Sequence, residues 1–381
     1  DLTDLEPDTI SAVLRTNYLS MGPYILEFEK AVKDFTGSRH AIAVNSGTAG
    51  LHLSVLAAGW KDGDRVITTP FSFVSSTNVL LYERITPVFV DVDPITGNID
   101  PQQTAAAIHD LTNSAGSAKK KWLPEKGCAE NGALKGVLAV DVFGQPADFN
   151  RINQAAKAYG LKTIEDSCEA LGAEYINQPA GRLADFGVYA FYPNKQITTG
   201  EGGLVVTDSD QDAEMIRSLR NQGRAPGDTW LDHTYLGYNY RMDEMSAALG
   251  AAQMRRIDEL IRKRAQTAAW YRSELAGIDG VECPATAATT TRDSWFVFVI
   301  RLKPGIDRSA VSGRMKALGV PVRPYFSPIH LQPYMRERFG YHPGQYPVTE
   351  DLGQRGLAIP FSGKMTLEQV QEVSAALRQS L

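Results

Sequence analysis

The stretch Asp185-Phe-Gly-Val-Tyr-Ala-Phe-Tyr-Pro-Asn-Lys195-Gln-Ile-Thr-Thr-Gly-Glu-Gly-Gly203 decides how this chain is read. Its apolar, β-branched and aromatic run from Val188 to Tyr192 predicts a buried strand. Pro193 and Asn194 break that strand and leave Lys195 just beyond its end. After Ile197, Thr198-Thr-Gly-Glu-Gly-Gly203 gives the backbone freedom for close approach, and residues 204–207 predict a second short strand. Desolvation favours the neutral form of an amine, the form that condenses with an aldehyde to a Schiff base, and a lysine walled by aromatic rings suits that chemistry. A solvated surface lysine is the plainer alternative.

Outward from this stretch, strand and helix alternate. Residues 8–14 and 25–35 carry helical spacing, and residues 40–44, 66–69, 87–90, 136–143 and 161–166 read as strands. Helices are expected after the first strand, from Leu51, and at 149–159. The alternation predicts an α/β fold, a large domain with a mostly parallel sheet flanked by helices over residues 1–245. Helical spacing from Met245 to Leu275 predicts one extended or broken bridging helix. A smaller α+β domain, residues 246–381, is expected from strands at 294–302 and 320–324 and helices at 307–318 and 366–377. Residues 103–135, rich in Ala, Asn, Ser, Gly and Lys, predict a loop insertion or flap.

Chemistry can be placed on that frame. The strand at 40–44 stops at Asn45-Ser-Gly-Thr-Ala-Gly50 before a helix, and a strand, glycine turn and helix amino terminus form an anion-binding arrangement. The Ser46 and Thr48 hydroxyls can add donors, although an ordinary N-cap fits the same residues. Asp166 ends its strand on the side of an open parallel sheet that lines a ligand crevice. Pyridoxal 5′-phosphate needs all of these together: helix-end amides for its phosphate, a lysine for its aldehyde, a carboxylate for its ring nitrogen and an aromatic platform, for which Phe73 is the candidate. Asp91-Val92-Asp93 offers a competing reading, the metal-diphosphate site of a glycosyltransferase, beside that of a solvated strand end.

A formal net charge of −5 over 381 residues leaves no electrostatic footprint for nucleic acid, and Lys119-Lys120-Lys121 reads as a solvated loop. Cys128, Cys168 and Cys283 stand apart without CxxC spacing, so neither a disulfide framework nor a metal site is expected. The acidic first residues and the lack of a long apolar run lead to the expectation of a cytoplasmic protein without membrane contact.

Taken in order, several segments resemble the StrS/DegT-type sugar aminotransferases of fold type I. They are Leu19-Ser-Met-Gly-Pro23, Asn45-Ser-Gly-Thr-Ala49, Pro70-Phe-Ser-Phe73, Val90-Asp-Val-Asp93, Glu165-Asp-Ser-Cys-Glu-Ala-Leu-Gly172, Phe191-Tyr-Pro-Asn-Lys195, Gly237-Tyr-Asn-Tyr-Arg-Met242 and Pro328-Ile-His-Leu331. The resemblance spans nearly the whole chain. It implies that Lys195 forms the Schiff base with pyridoxal 5′-phosphate and moves protons, that Asp166 pairs with the ring nitrogen, that Gly47 and Thr48 hold the phosphate and that Phe73 stacks on the ring. It implies further that Glu169 lies near the cofactor, an exposed structural carboxylate being the rival reading. Asn239 would reach the phosphate of a neighbouring subunit, which makes a homodimer with shared sites. His330 would contact the sugar, with a packed histidine as the rival. Ala190 departs from the family, many members of which carry serine there. Lys195 argues against the family's dehydratase branch, which carries histidine at that position. The segment Arg323 to His330 is similar to perosamine-synthase-like members. The implied activity moves an amine from glutamate or glutamine to a nucleotide-linked 4-keto-6-deoxy sugar. Another keto-sugar or cyclitol acceptor, or a regulatory cofactor-binding protein without turnover, stay as alternatives.

Overall fold

The computed structural model of the chain describes residues 1–113 and 116–381, without the side chain of Ala118. Helices α1 (Leu5–Val13) and α2 (Pro23–Thr36) lead into β1 (His40–Val44), α3 (Gly47–Ala57), β2 (Arg65–Thr68), α4 (Ser75–Tyr82) and β3 (Thr86–Phe89). There follow α5 (Pro101–Asn113), α6 (Ser117–Lys120), β4 (Leu134–Val140), α7 (Phe149–Lys157), β5 (Lys162–Asp166), β6 (Glu174–Tyr175) and β7 (Gln178–Pro179). Next come β8 (Phe186–Ala190), β9 (Gly203–Thr207), α8 (Asp210–Arg220), α9 (Glu244–Met254) and α10 (Ile257–Glu274). The remainder holds β10 (Val281–Glu282), β11 (Thr290–Arg292), β12 (Phe298–Leu302), α11 (Arg308–Ala317) and β13 (Arg323–Pro324). It closes with α12 (Pro333–Phe339), α13 (Pro347–Arg355), β14 (Gly356–Ile359) and α14 (Leu367–Ser380).

The central seven-stranded sheet runs β1-β9-β8-β5-β4-β2-β3. β9 alone is antiparallel to its neighbours β1 and β8, and the other pairings are parallel. The fold is therefore α/β with a mainly parallel sheet. Its strands read as continuous apolar runs because both faces are covered. Val188 and Val205 pack with Leu51 and Val55 of α3 on one face, and Tyr189 and Leu204 pack with Phe28 and Ala251 on the other. A second sheet, β10-β12-β14-β13, is antiparallel and buries Phe298 and Ile300 against Tyr271 of α10 and Leu377 of α14. A small ladder, β11-β6-β7, joins the carboxyl-terminal part back to residues 174–179.

Some expectations change. Residues 103–135 are a loop only in part: residues 121–133 carry no regular element, but the stretch begins inside α5, whose Thr104, Ala107, Ile108 and Leu111 are buried on one helical face. Trp122 is buried too and donates its indole N–H to Asp110 (2.9 Å). Ala-rich composition suits a helix as well as a loop, and periodicity decides between them; Ser114 and Ala115 lie outside the described residues. The bridging helix is two helices, broken at Arg255-Arg256. The strand expected from 294 starts only at Phe298. The short helices α12 and α13, each led by proline, escape the periodicity reading. Among the described residues no helix is long and apolar enough to cross a membrane.

Arg220, buried at the end of α8, donates to Glu29 of α2 (2.6 Å) and to the Ala43 carbonyl of β1 (2.6 Å). Replacing it with alanine leaves a buried carboxylate unpaired and is expected to cost about 3–5 kcal/mol in urea unfolding. Burial raises the Asp293 carboxyl from 3.8 to about 7, against the pull of the Trp295 N–H on its carboxylate. Folded Asp293 thus keeps a proton that the unfolded chain has already released, so its contribution to stability falls as pH rises from 3.8 to about 7. Across that window Asp293→Asn is expected to gain progressively on the wild type in thermal unfolding.

Candidate active site

The parallel strands β4, β5 and β8 deliver their carboxyl ends to one cleft of about 430 Å³. Lys195 lies past β8 in the turn that Pro193 and Asn194 begin, and its N–H donates to the Tyr192 carbonyl (2.9 Å). The side chain is 13% exposed, with its amine 3.6 Å from Glu169 Oε1 and 4.0 Å from the centre of the Phe296 ring. Glu169 is buried, which removes the exposed-carboxylate reading. Its Oε2 accepts the Phe143 N–H (2.9 Å). Burial pushes the Glu169 carboxyl above its usual range, and Lys195 beside it opposes that push. Phe143 holds a left-handed backbone (φ 61°), a conformation that costs a residue with a side chain about 1–2 kcal/mol.

Asp166 ends β5, and both carboxylate oxygens are engaged. Oδ2 accepts the Ser76 hydroxyl (2.7 Å) from the first turn of α4, and Oδ1 accepts the Cys168 N–H (3.2 Å). Across the cleft, Ser46 caps α3 by accepting the Ala49 N–H (3.0 Å), which leaves the first-turn amides of Gly47 and Thr48 for a ligand. Gly47 has no room for a side chain: a Cβ there would stand 2.6 Å from that of Ala190 and 2.9 Å from Cys168 Sγ. Phe73 lines the same cleft and is 64% exposed.

Gly47, Thr48, Phe73, Asp166, Glu169 and Lys195 therefore come together, as does Ala190. Asn239 is exposed and does not line the cleft of its own chain; its carbonyl accepts the Asn45 side-chain amide (3.3 Å). His330, the expected sugar contact, does not line this cleft. It is 0% exposed, its Nε2 lies 3.0 Å from Glu350, and it packs edge-on against Tyr346. The short turn Ile329–Leu331 hangs from the Pro70 carbonyl by the Ile329 N–H (2.8 Å), and His330 points into the core, where burial lowers its pKa. Asp91 is likewise occupied. Its carboxylate accepts the Val348 (3.0 Å) and Thr349 (2.9 Å) N–H groups at the start of α13.

Sequence reasoning misses Ser76, Phe296 and Tyr325. Ser76 sits one turn past Ser72 and is legible once a helix is placed there. Phe296 and Tyr325 reach the cleft from the carboxyl-terminal part and carry no local signal.

Residues 1–378 match the DegT/DnrJ/EryC1/StrS aminotransferase family. The GDP-perosamine synthase of Caulobacter vibrioides is 34% identical over 385 residues, covering 99% of this chain and 95% of its own. A DegT DnrJ EryC1 StrS aminotransferase from Brucella abortus superimposes with a TM-score of 0.87 at 28% identity, over 99% of this chain and 95% of that one. Helicobacter pylori PseC, an aminotransferase involved in the biosynthesis of pseudoaminic acid, does so with a TM-score of 0.88 at 26% identity, over 100% of this chain and 97% of that one. With sequence agreement over nearly its whole length and the same fold, this chain belongs to the DegT/DnrJ/EryC1/StrS aminotransferase family.

Proposed function

We propose that the protein is a pyridoxal-phosphate-dependent aminotransferase that moves an amine from glutamate or glutamine to a nucleotide-linked 4-keto-6-deoxy sugar. One observation carries this reading: an amine, a carboxylate fixed by two donors and a helix amino terminus face a single cleft. The residues fit the cofactor. The α3 amides beside the side-chain-free Gly47 suit a phosphate, Asp166 a protonated ring nitrogen, Lys195 an aldehyde and Phe73 a ring face. When bound, the cofactor supplies an electron sink for the carbon that loses its proton.

The chain's own residues do the rest. Ser76 and the Cys168 N–H orient the Asp166 carboxylate. The Lys195 amine takes a proton from one carbon and returns it to another, and Glu169, 3.6 Å away, balances the charge the amine gains. Phe296 and Tyr325 exclude water from that exchange. Donor and acceptor use the same cleft in turn, so ping-pong kinetics follow. The similarity to a perosamine synthase and to PseC supports a sugar acceptor. Tyr192, half exposed at the cleft, and Tyr325 line it and are suited to recognise a sugar. The exposure of Asn239 outside its own cleft supports a homodimer in which it completes the neighbour's site. We also read residues 1–245 as a cofactor-binding domain and 246–381 as a smaller one. The packing of α9 on α1 and α2 favours a boundary nearer Arg255.

Protein incubated with pyridoxal phosphate is expected to absorb near roughly 420 nm, to lack that band as Lys195→Ala, and to bleach when glutamate is added. A colourless wild type refutes the reading. Asp166→Asn is expected to slow the donor half-reaction by at least about 10²-fold in stopped-flow measurements, because a neutral amide cannot supply the buried negative charge.

A further inference from the structure

We infer that Arg264 is a positioning residue for Lys195: from behind the cleft it grips both the lysine main chain and the segment whose ring covers the lysine amine. The inference rests on the reading of Lys195 as the reacting amine. Arg264 projects from α10 and does not line the cleft, so it acts only through other residues. Its Nη2 donates to the Lys195 carbonyl (2.8 Å), and its Nη1 donates to the Trp295 (3.1 Å) and Phe296 (3.2 Å) carbonyls. The guanidinium is partly buried, and with no carboxylate among the described residues to offset it, that burial lowers its pKa to about 10. Its hydrogen bonds go to backbone oxygens, with the centre of the Phe361 ring 5.9 Å from the guanidinium carbon, and its planar fork fixes two distant segments in one relative position.

The contacts form a closed ring around the amine. The Phe296 ring lies 4.0 Å from Lys195 Nζ, and the Phe296 N–H donates to the Phe143 carbonyl (3.3 Å). The Phe143 N–H holds Glu169, which faces Lys195. Arg264 closes the ring from outside. Gln196 supplies a second tie between the same segments, donating to Ser294 Oγ (2.8 Å) and to the Glu169 carbonyl, but it does not bond the Lys195 carbonyl. Without the guanidinium, Lys195 and Phe296 lose their common anchor, and the amine becomes both freer and less well aimed. A lysine at position 264 keeps the charge but has no fork to span both segments.

The test is reductive methylation of the cofactor-free protein with formaldehyde and cyanoborohydride. The rate at Lys195 is read by peptide mass spectrometry against the exposed Lys157 and Lys316. Arg264→Met and Arg264→Lys are expected to raise the Lys195 rate, relative to those references, by about tenfold, and in the loaded enzyme to lower kcat by at least about tenfold with the donor KM within about twofold. An unchanged or lower relative rate in a folded variant overturns the assignment. Because unfolding alone would also raise the Lys195 ratio against references that are already exposed, each variant is first shown to be folded by its urea unfolding midpoint, and if Arg264→Met is not, Arg264→Lys decides. Because labelling is read without the cofactor, a missing 420 nm band refutes the proposed function and leaves this test standing. A present band with an unchanged labelling ratio refutes the role of Arg264 alone.

Discussion

The first turn of α3 rests directly on the central sheet, against the bare backbone of Gly203 and the small side chain of Ala190. A Cβ on Gly47 would meet Ala190, and one on Gly203 would stand 2.4 Å from the Ser46 carbonyl. Main chain against main chain, the positive end of a helix is brought beside the strand ends that carry Asp166 and lead to Lys195. The reversed strand β9 makes this possible, since its first residue, Gly203, pairs with Val44 of β1 and Ala190 of β8 at the place where the helix begins. Any larger residue at either glycine would lift α3 away and separate the anion-binding amides from the lysine. Ala190 belongs to the same constraint. Its methyl group faces Gly47 where a hydroxyl would offer a further donor, so the helix end carries more of the work of holding a phosphate.

Two buried carboxylates share this cleft with one lysine, and their surroundings differ. Asp166 accepts a hydroxyl and a backbone N–H, so both of its oxygens are held in place. Glu169 has one backbone donor and a lysine against a burial penalty that raises its pKa above the usual range. The two acids are thereby set apart, one fixed by two donors and the other facing the amine of Lys195.

Much of this was legible in the sequence because parallel topology does the assembly. Once Asp166 and Lys195 are each placed at the end of a parallel strand, their meeting follows from the sheet. The same logic places Gly47 and Thr48 at a helix start. His330 fails that test, because its direction is set by a three-residue turn hung from Pro70, a contact between segments far apart in the chain. Phe296 and Tyr325 fail for the same reason, and the irregular stretch before β12 gives no period to read. The Ala-rich α5 shows the opposite error: composition suggests a loop where the spacing of Thr104, Ile108 and Leu111 already describes a buried helical face.

The carboxyl-terminal sheet is tied to the larger one at several separate places. The chain passes between them at Arg255-Arg256, the ladder of β6 with β11 joins them again, Asp91 holds the start of α13, and Pro70 holds Ile329. These four ties come from widely separated parts of the chain, from Pro70 to Arg256 on one side and from Thr290 to Thr349 on the other. The cleft takes walls from both sides of these ties, Asp166 and Lys195 from one and Phe296 and Tyr325 from the other, so the ties that join the sheets also set the width that a substrate must fit.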